Sequence, residues 1–287
     1  MGRRYETVTL LTDYGLDDEF VGVLKSVIRD LAPHATTIDL THGIRPFDVR
    51  AGALALARAI PYVAEGVVVA VVDPGVGTNR RAVAIEVADG AGVLVGPDNG
   101  LLAPAVAVAG GATRAVALDN PAFHLPAPGA TFAGRDIFAP AAAHLCLGVD
   151  LDALGTSTDP ALLTPGMIPL PRHEVDGLYC EVLWVDRFGN CQLNVGPDEV
   201  AAVAEGATVV TISVDDERRS ARLAATFAEL PAGSIGLVLD SQGMYALALD
   251  QRSAADELHL AQGAAVQITA ADGGAGAVTS RVELRSR

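Results

Sequence analysis

Basic residues are scarce in this chain of 287 residues: 20 Lys and Arg face 35 Asp and Glu, leaving a formal charge of −15. A nucleic-acid partner needs a basic face to neutralise phosphates, so that class is excluded, while a cationic small molecule is not. Cysteine is nearly absent. Cys146, Cys180 and Cys191 have no metal-ligand spacing, and any disulfide would leave one of the 3 unpaired, so a reduced, cytoplasmic setting is expected. Aromatic residues make up only 5% of a chain that is 50% hydrophobic, so the core is built from Ala, Val and Leu.

No hydrophobic run is long and clean enough to cross a bilayer, which needs roughly 20 largely apolar residues. The tract from Ala53 to Val72 is broken by Arg58, Pro61 and Glu65, and Arg3 and Arg4 precede an apolar run that soon meets Asp13. Neither a span nor a secretory signal is expected, and the protein reads as soluble. Also missing are G-K-[ST], the G-x-S-x-G of a serine nucleophile, and HxxxH or CxxC. With them go a nucleoside-triphosphate loop, a serine hydrolase and the common zinc sites; no metal and no cofactor are expected.

What is there centres on Val69 to Arg81, V-A-V-V-D-P-G-V-G-T-N-R-R. Val69 to Val72 read as a buried strand that stops at Asp73, because Pro74 cannot donate to a ladder. Gly75 and Gly77 keep the loop free of bulk, and Arg80 and Arg81 follow within reach of the carboxylate. A dinucleotide loop fails here: it needs a glycine where Arg80 stands and a helix next, whereas Ala82 to Val87 alternates like a strand. A strand-end carboxylate beside such a loop suits ligand binding. A plain glycine turn with an exposed Asp is the competing reading.

Along the chain, Thr7 to Thr12 is a strand ending at a second carboxylate, Asp13, and Asp17 to Glu19 load the first turn of a helix reaching Leu31. Thr36 to Leu40 is a strand, and Asp48 or a near neighbour starts a helix through Ala59. Strands alternating with helices imply an α/β domain with a mostly parallel sheet. Gly92 to Val95 and a helix from Ile137 to Leu147, capped by Asp136, continue it, while residues 104–130 fit no element. Pro160, Pro165, Pro169 and Pro171 mark a linker. Strands then follow at Gly177–Val185, Cys191–Val195, Thr208–Val214, Ser234–Leu239, Ala246–Leu249 and Ala265–Thr269, with turns at Asp215-Asp216 and Asp272 to Gly274 and a hairpin tip at 272–277. That is a small all-β barrel. The expected domains are residues 1–163 and 164–287, with a cleft where they meet.

Candidate ligand groups fall in both. Asp13 can take two ribose hydroxyls, Asn190 can read an adenine edge through its amide, and Phe227 can stack on a base. Each also has a plain reading as turn or core. His42 with Asp39 is half a metal site without further support, and His144 reads as an ordinary helix residue.

The set L-L-T-D-Y-G (10–15), D-L-T-H (39–42), V-D-P-G-V-G-T-N-R-R (72–81), G-P-D-N-G-L-L (96–102), T-F-A-G-R-D-I-F-A-P-A-A-A (131–143) and D-R-F-G-N (186–190) resembles the S-adenosyl-L-methionine (SAM) hydroxide adenosyltransferases. These are SAM hydrolases that form adenosine, related to the fluorinase and the chlorinating halogenase. The resemblance implies an α/β domain plus a β-barrel, a homotrimer with active sites between subunits, and attack of water on ribose C5′ with loss of methionine. It implies Asp73 and Arg80 as catalytic residues. The family's third member, a His, falls on Ala133. By the same carry-over Asp13 holds the ribose, Asp18 meets the methionine ammonium, and Asn190 and Phe227 contact adenine. Phe132, Gly134, Ser241, Met244 and Leu249 line the rest. Gln242 stands where halogenase relatives carry Arg, and halogenases carry Tyr at the Asp73 position. A non-catalytic SAM or adenosine binder and a 5′-halogenating relative are the alternative readings.

Overall fold

Gly66–Val71 (β3) is buried at every position, as expected of a Val-rich strand covered on both faces. It lies inside a seven-stranded sheet of order β2-β1-β3-β5-β4-β6-β7. The others are β1 (Thr7–Thr12), β2 (Thr36–Thr41), β4 (Ala82–Val87), β5 (Gly92–Pro97), β6 (Ala112–Ala117) and β7 (Thr156–Thr158). The computed structural model describes residues 2–215 and 217–271. The chain divides into two units, Met1–Ile168 and Pro169–Arg287, the boundary falling among the four linker prolines.

The expected α/β unit is present, but parallel pairing covers half of its sheet rather than most of it. β2, β1, β3 and β5 run parallel, whereas β4 pairs antiparallel with β5 and β6, and β6 with β7. The cause is the 72–81 segment, which holds no helix and so reverses the chain; the tight β4–β5 connection reverses it again and returns β5 alongside β3. One face of the sheet (Val8, Leu10, Val67, Val69, Val93, Val95) packs with Leu24 and Ile28 of α1 (Phe20–Leu31) and Leu145 of α4 (Ala139–Cys146). On the other face β3 and β5 bury Val68, Ala70 and Leu94, and α2 (Val49–Ala59) buries Ala53 and Leu56. Asp48 caps α2 by accepting from Ala51 N–H at 2.8 Å.

Three local expectations change. α1 begins at Phe20, so Asp17 to Glu19 precede the helix and Glu19 makes no side-chain cap. Asp136 is no cap either: it is buried inside a π-helical turn, Gly134–Phe138, and its partner is Arg135. Within 104–130 lie most of a short helix, α3 (Ala103–Val108), and β6.

The second unit is a closed barrel with order β9-β10-β14-β13-β12-β11-β15 returning to β9, with β8 added outside β9. Its strands are β8 (Arg172–Glu174), β9 (Gly177–Val185), β10 (Cys191–Leu193), β11 (Val209–Val214), β12 (Glu217–Ala224), β13 (Ile235–Leu239), β14 (Tyr245–Leu249) and β15 (Ala265–Ala270). Closure leaves few free edges and encloses a core of Leu178, Val182, Leu193, Ile212, Leu237, Leu247 and Ile268. α5 (Pro197–Ala204) and α6 (Ala254–Glu257) complete it. The hairpin tip expected at 272–277 and half of the Asp215-Asp216 turn lie outside the described residues. Cys146, Cys180 and Cys191 are buried free thiols. No described helix is long and apolar enough to cross a membrane.

Candidate active site

β1 and β3 end side by side, so the two strand-end carboxylates arrive together. Asp13 N–H donates to the Val71 carbonyl at 3.2 Å. Just beyond, Asn99 pins the end of β3: its Nδ2 donates to the Val72 carbonyl at 2.9 Å, and its Oδ1 accepts from Leu101 N–H at 3.2 Å. The P-D-N-G turn thus acts as a brace for the residue before Asp73.

Asp73 is held by Arg80. Arg80 Nε lies 2.9 Å from both carboxylate oxygens and Nη2 also bonds Oδ2, a forked geometry that fixes the carboxylate plane. Both side chains are buried, at 5% exposure for Asp73 and 13% for Arg80. The guanidinium lies 5.3 Å from the Phe138 ring centroid. The loop between is wound back by Thr78, whose Oγ1 donates to the Gly75 carbonyl at 2.7 Å and accepts from Arg80 N–H at 3.3 Å. Gly77 takes the left-handed φ of 79° that this winding needs. Arg81 does not share Asp73. It turns to Asp98, with Nε at 2.9 Å and Nη2 at 2.5 Å from Oδ2.

Asp13 Oδ2 accepts from Phe47 N–H at 2.9 Å. Burial raises its carboxyl pKa above the usual range, the Phe47 bond works against that rise, and the Asp73 charge adds to it. Next to it Tyr14, Phe20 and Phe132 form a cluster with centroid separations of 5.6, 5.8 and 5.1 Å. Burial pushes the Tyr14 phenol well above its ordinary pKa, with the Asp13 and Asp73 charges adding. The Tyr14 hydroxyl lies 2.5 Å from where a Cβ on Gly134 would sit, so only glycine fits there without displacing the ring. Ala133, one residue earlier, is 7% exposed and packed into the core. Its methyl group supplies no donor or acceptor.

Asp18 is exposed on the loop before α1. Both ring nitrogens of His42 have partners, Thr12 Oγ1 and Asp39 Oδ1, and the described residues contain no group of three or more His, Cys, Asp or Glu placed to hold a metal ion.

In the barrel unit the structure brings three expected residues to one pocket of about 400 Å³, lined by Asn190, Phe227, Leu249, Phe188, Arg252 and neighbours. Phe227 is half exposed, at 49%. Asp186 organises the D-R-F-G-N turn. Its Oδ1 accepts from Phe188 N–H and Asn190 N–H, at 2.8 and 2.9 Å, and its Oδ2 accepts from Asn190 Nδ2 at 2.8 Å. Ser241 and Met244 sit instead on the β13–β14 turn, ordered by Asp240. That carboxylate accepts from Gln242 N–H at 2.8 Å and Met244 N–H at 3.0 Å.

Sequence reading missed Asn99, Tyr14, Asp186 and Asp240 as supports, although each lies inside or beside a quoted motif or site residue, and it missed Phe47, which lies in none. For Asp186 and Asp240 the available signal was an Asp three residues before a glycine, since such carboxylates cap their own turns.

Residues 8–155 match the SAM hydroxide adenosyltransferase N-terminal domain, and residues 180–267 match the C-terminal domain of the same family. A protein of Salinispora arenicola named (R)-S-adenosyl-L-methionine hydrolase is 44% identical over 92% of this chain and 97% of its own. A fluorinase of Nocardia brasiliensis is more distant, at 27% identity over 93% of this chain and 97% of its own. Among solved structures, an uncharacterized conserved protein of Thermotoga maritima superposes with a TM-score of 0.82 at 32% identity, covering 91% of this chain and 99% of that one.

Proposed function

This chain belongs to the SAM hydroxide adenosyltransferase family, and from that premise we propose that it hydrolyses SAM to adenosine and L-methionine. Water attacks ribose C5′, the C5′–S bond breaks with its electron pair leaving on methionine sulfur, and one proton is released. The sulfonium is already a good leaving group, so the protein's task is to align water opposite the bond and exclude competing solvent. The reaction as written needs no cofactor.

The observation that carries this reading is the buried Asp73–Arg80 pair. Asp73 accepts a hydrogen bond from the attacking water, and Arg80 fixes the direction in which its oxygens point. In the same proposal Asp13 takes the ribose hydroxyls, with Phe132 and Gly134 along the sugar, and Asp18 meets the methionine ammonium. Asn190 and Phe227 contact adenine, and Ser241, Met244 and Leu249 line the remainder. Asn190 suits this because one amide N–H is spent on Asp186, leaving the other N–H and the carbonyl for a base edge.

A 5′-halogenating activity is disfavoured by charge. A halide about 4 Å from a carboxylate would be repelled by roughly 4 kcal/mol at an effective dielectric near 20, only partly offset by Arg80. Position 134 also has no room for a side-chain donor while Tyr14 stays in place. The assembly we propose is a homotrimer with active sites between subunits, in a reducing cytoplasm that suits three buried free thiols. Light scattering that finds a fully active monomer contradicts it.

Incubation with SAM in buffers with and without chloride, followed by chromatography, tests the reaction. Adenosine and methionine in equal amounts in both buffers are expected. Methylthioadenosine or a 5′-halo-adenosine refutes it, and tight SAM binding without turnover favours a binding protein.

A further inference from the structure

His42 is buried at 5% exposure, and the reaction proposed above makes no use of it. It stands just past the end of β2, where a bulge in the β1–β2 pairing lets Leu10 face Asp39 and Leu11 face Thr41. The ring bridges two strand ends. Its Nδ1 lies 2.8 Å from Thr12 Oγ1, and its Nε2 lies 3.0 Å from Asp39 Oδ1. Asp39 in turn accepts from Lys25 Nζ at 2.6 Å.

The bonding pattern fixes the tautomer. Partial burial works against ionisation of Asp39, but hydrogen bonds from His42 and Lys25 outweigh it and hold its carboxyl below the usual range. An ionised carboxylate only accepts, so Nε2 carries a proton, and in the neutral ring Nδ1 then accepts. Thr12, fully buried, therefore donates its hydroxyl to Nδ1, while its oxygen accepts from Tyr14 N–H at 3.2 Å. Every polar atom of this chain from Lys25 to Tyr14 has a partner when the imidazole is neutral.

The same residue anchors two loops to each other. Gly15 N–H donates to the His42 carbonyl at 2.9 Å, tying the loop after β1 to the loop after β2. Five residues on, Phe47 N–H returns to grip Asp13 Oδ2. Phe47 does so from a left-handed φ of 68°, and the residue is 69% exposed. A non-glycine residue held there is strained, and such strain persists only where the surroundings impose it.

We propose that His42 is a positioning residue: by locking Thr12 to Asp39 it fixes both loops, and so sets the Asp13 carboxylate in the pose that receives the ribose hydroxyls. This rests on the ribose role given to Asp13 under the proposed function. The recognised chemistry is a vicinal diol, and the effect is confined to it.

The test is a pair of nucleosides titrated by calorimetry, adenosine and 2′,3′-dideoxyadenosine, against wild type, His42→Asn, Thr12→Val and Thr12→Ser. Hydrogen bonds to a charged group are worth enough that wild type should prefer adenosine by at least about tenfold. Thr12→Val is nearly isosteric and removes only the hydroxyl, so it guards against loss of fold in His42→Asn. Both variants should lose most of the preference, through weaker adenosine binding with dideoxyadenosine binding little changed. Thr12→Ser, which keeps the hydroxyl, should retain it. Full preference in folded His42→Asn and Thr12→Val, or equal weakening toward both nucleosides, overturns the positioning role. A wild type without preference overturns the ribose role of Asp13 itself, which separates that failure from the other.

Discussion

Replacing Asp73 by Asn keeps the outline of the side chain and removes the charge proposed to orient water against Arg80. At the observed separation of 2.9 Å and an effective dielectric near 20, the pair attracts by roughly 6 kcal/mol before desolvation is deducted. Removing one partner of a buried pair costs about 3–5 kcal/mol, because the other charge is stranded. The Asn carbonyl still accepts from Nε–H, so the lower figure applies. At about 2–4 °C per kcal/mol, the Tm should fall by roughly 6–12 °C. Turnover answers to a different quantity. Loss of a positioned acid–base group costs about 10²–10⁴-fold, and we expect at least about tenfold here, with SAM affinity little changed. The double variant Asp73→Asn/Arg80→Gln separates the two effects. It removes the stranded cation, so part of the lost Tm should return while turnover stays low. Calorimetric melting and chromatography of adenosine read both. Turnover within about twofold of wild type, alongside the expected Tm loss, would reduce Asp73 to a strand terminator and refute the reasoning.

Ala133→His should raise turnover, because a neutral imidazole near its ordinary pKa is a competent proton partner at pH 7. It should also lower Tm, since overpacking a buried site costs about 1–3 kcal/mol; a drop in turnover with SAM affinity kept would mean the site is built around the methyl. Asp13→Asn should melt higher than wild type at pH 7. The folded carboxyl pKa is raised, so the stability it contributes is present below its unfolded pKa and is lost as pH rises through the folded value. The gain should shrink as pH is lowered through the carboxylate range while adenosine binding stays weak, and a Tm difference independent of pH would contradict the sign.

Much of the fold was legible because the pattern and the burial agree. The Val run of β3, the Asp48 cap of α2 and the alternation of β9 each state their own structure. β12 was hidden: Glu217, Arg218, Arg219, Ser220 and Arg222 leave only Ala221 and Ala224 buried, so tertiary pairing rather than hydrophobicity makes it a strand. The antiparallel half of the first sheet was hidden for another reason, since β6, which pairs with both β4 and β7, lies in the 104–130 stretch that reads as no element. Of the site, the pairing of Asp73 with Arg80 and the gathering of Asn190, Phe227 and Leu249 at one pocket follow residues singled out in the sequence. The assignment of Arg81 to Asp98 does not, because two adjacent arginines can be told apart only by where each side chain goes. Of the His42 chain only the pairing with Asp39 was legible. Its members lie at 12, 25, 39 and 42, and only the parallel pairing of β1 with β2 brings the strand ends together.

Hydrolysis of SAM in 18O-labelled water tests the central claim most directly. If a water held by Asp73 and Arg80 attacks C5′, mass spectrometry should find one 18O per adenosine, on the 5′-oxygen, and none in methionine. Adenosine formed without the label would contradict displacement by water at that carbon.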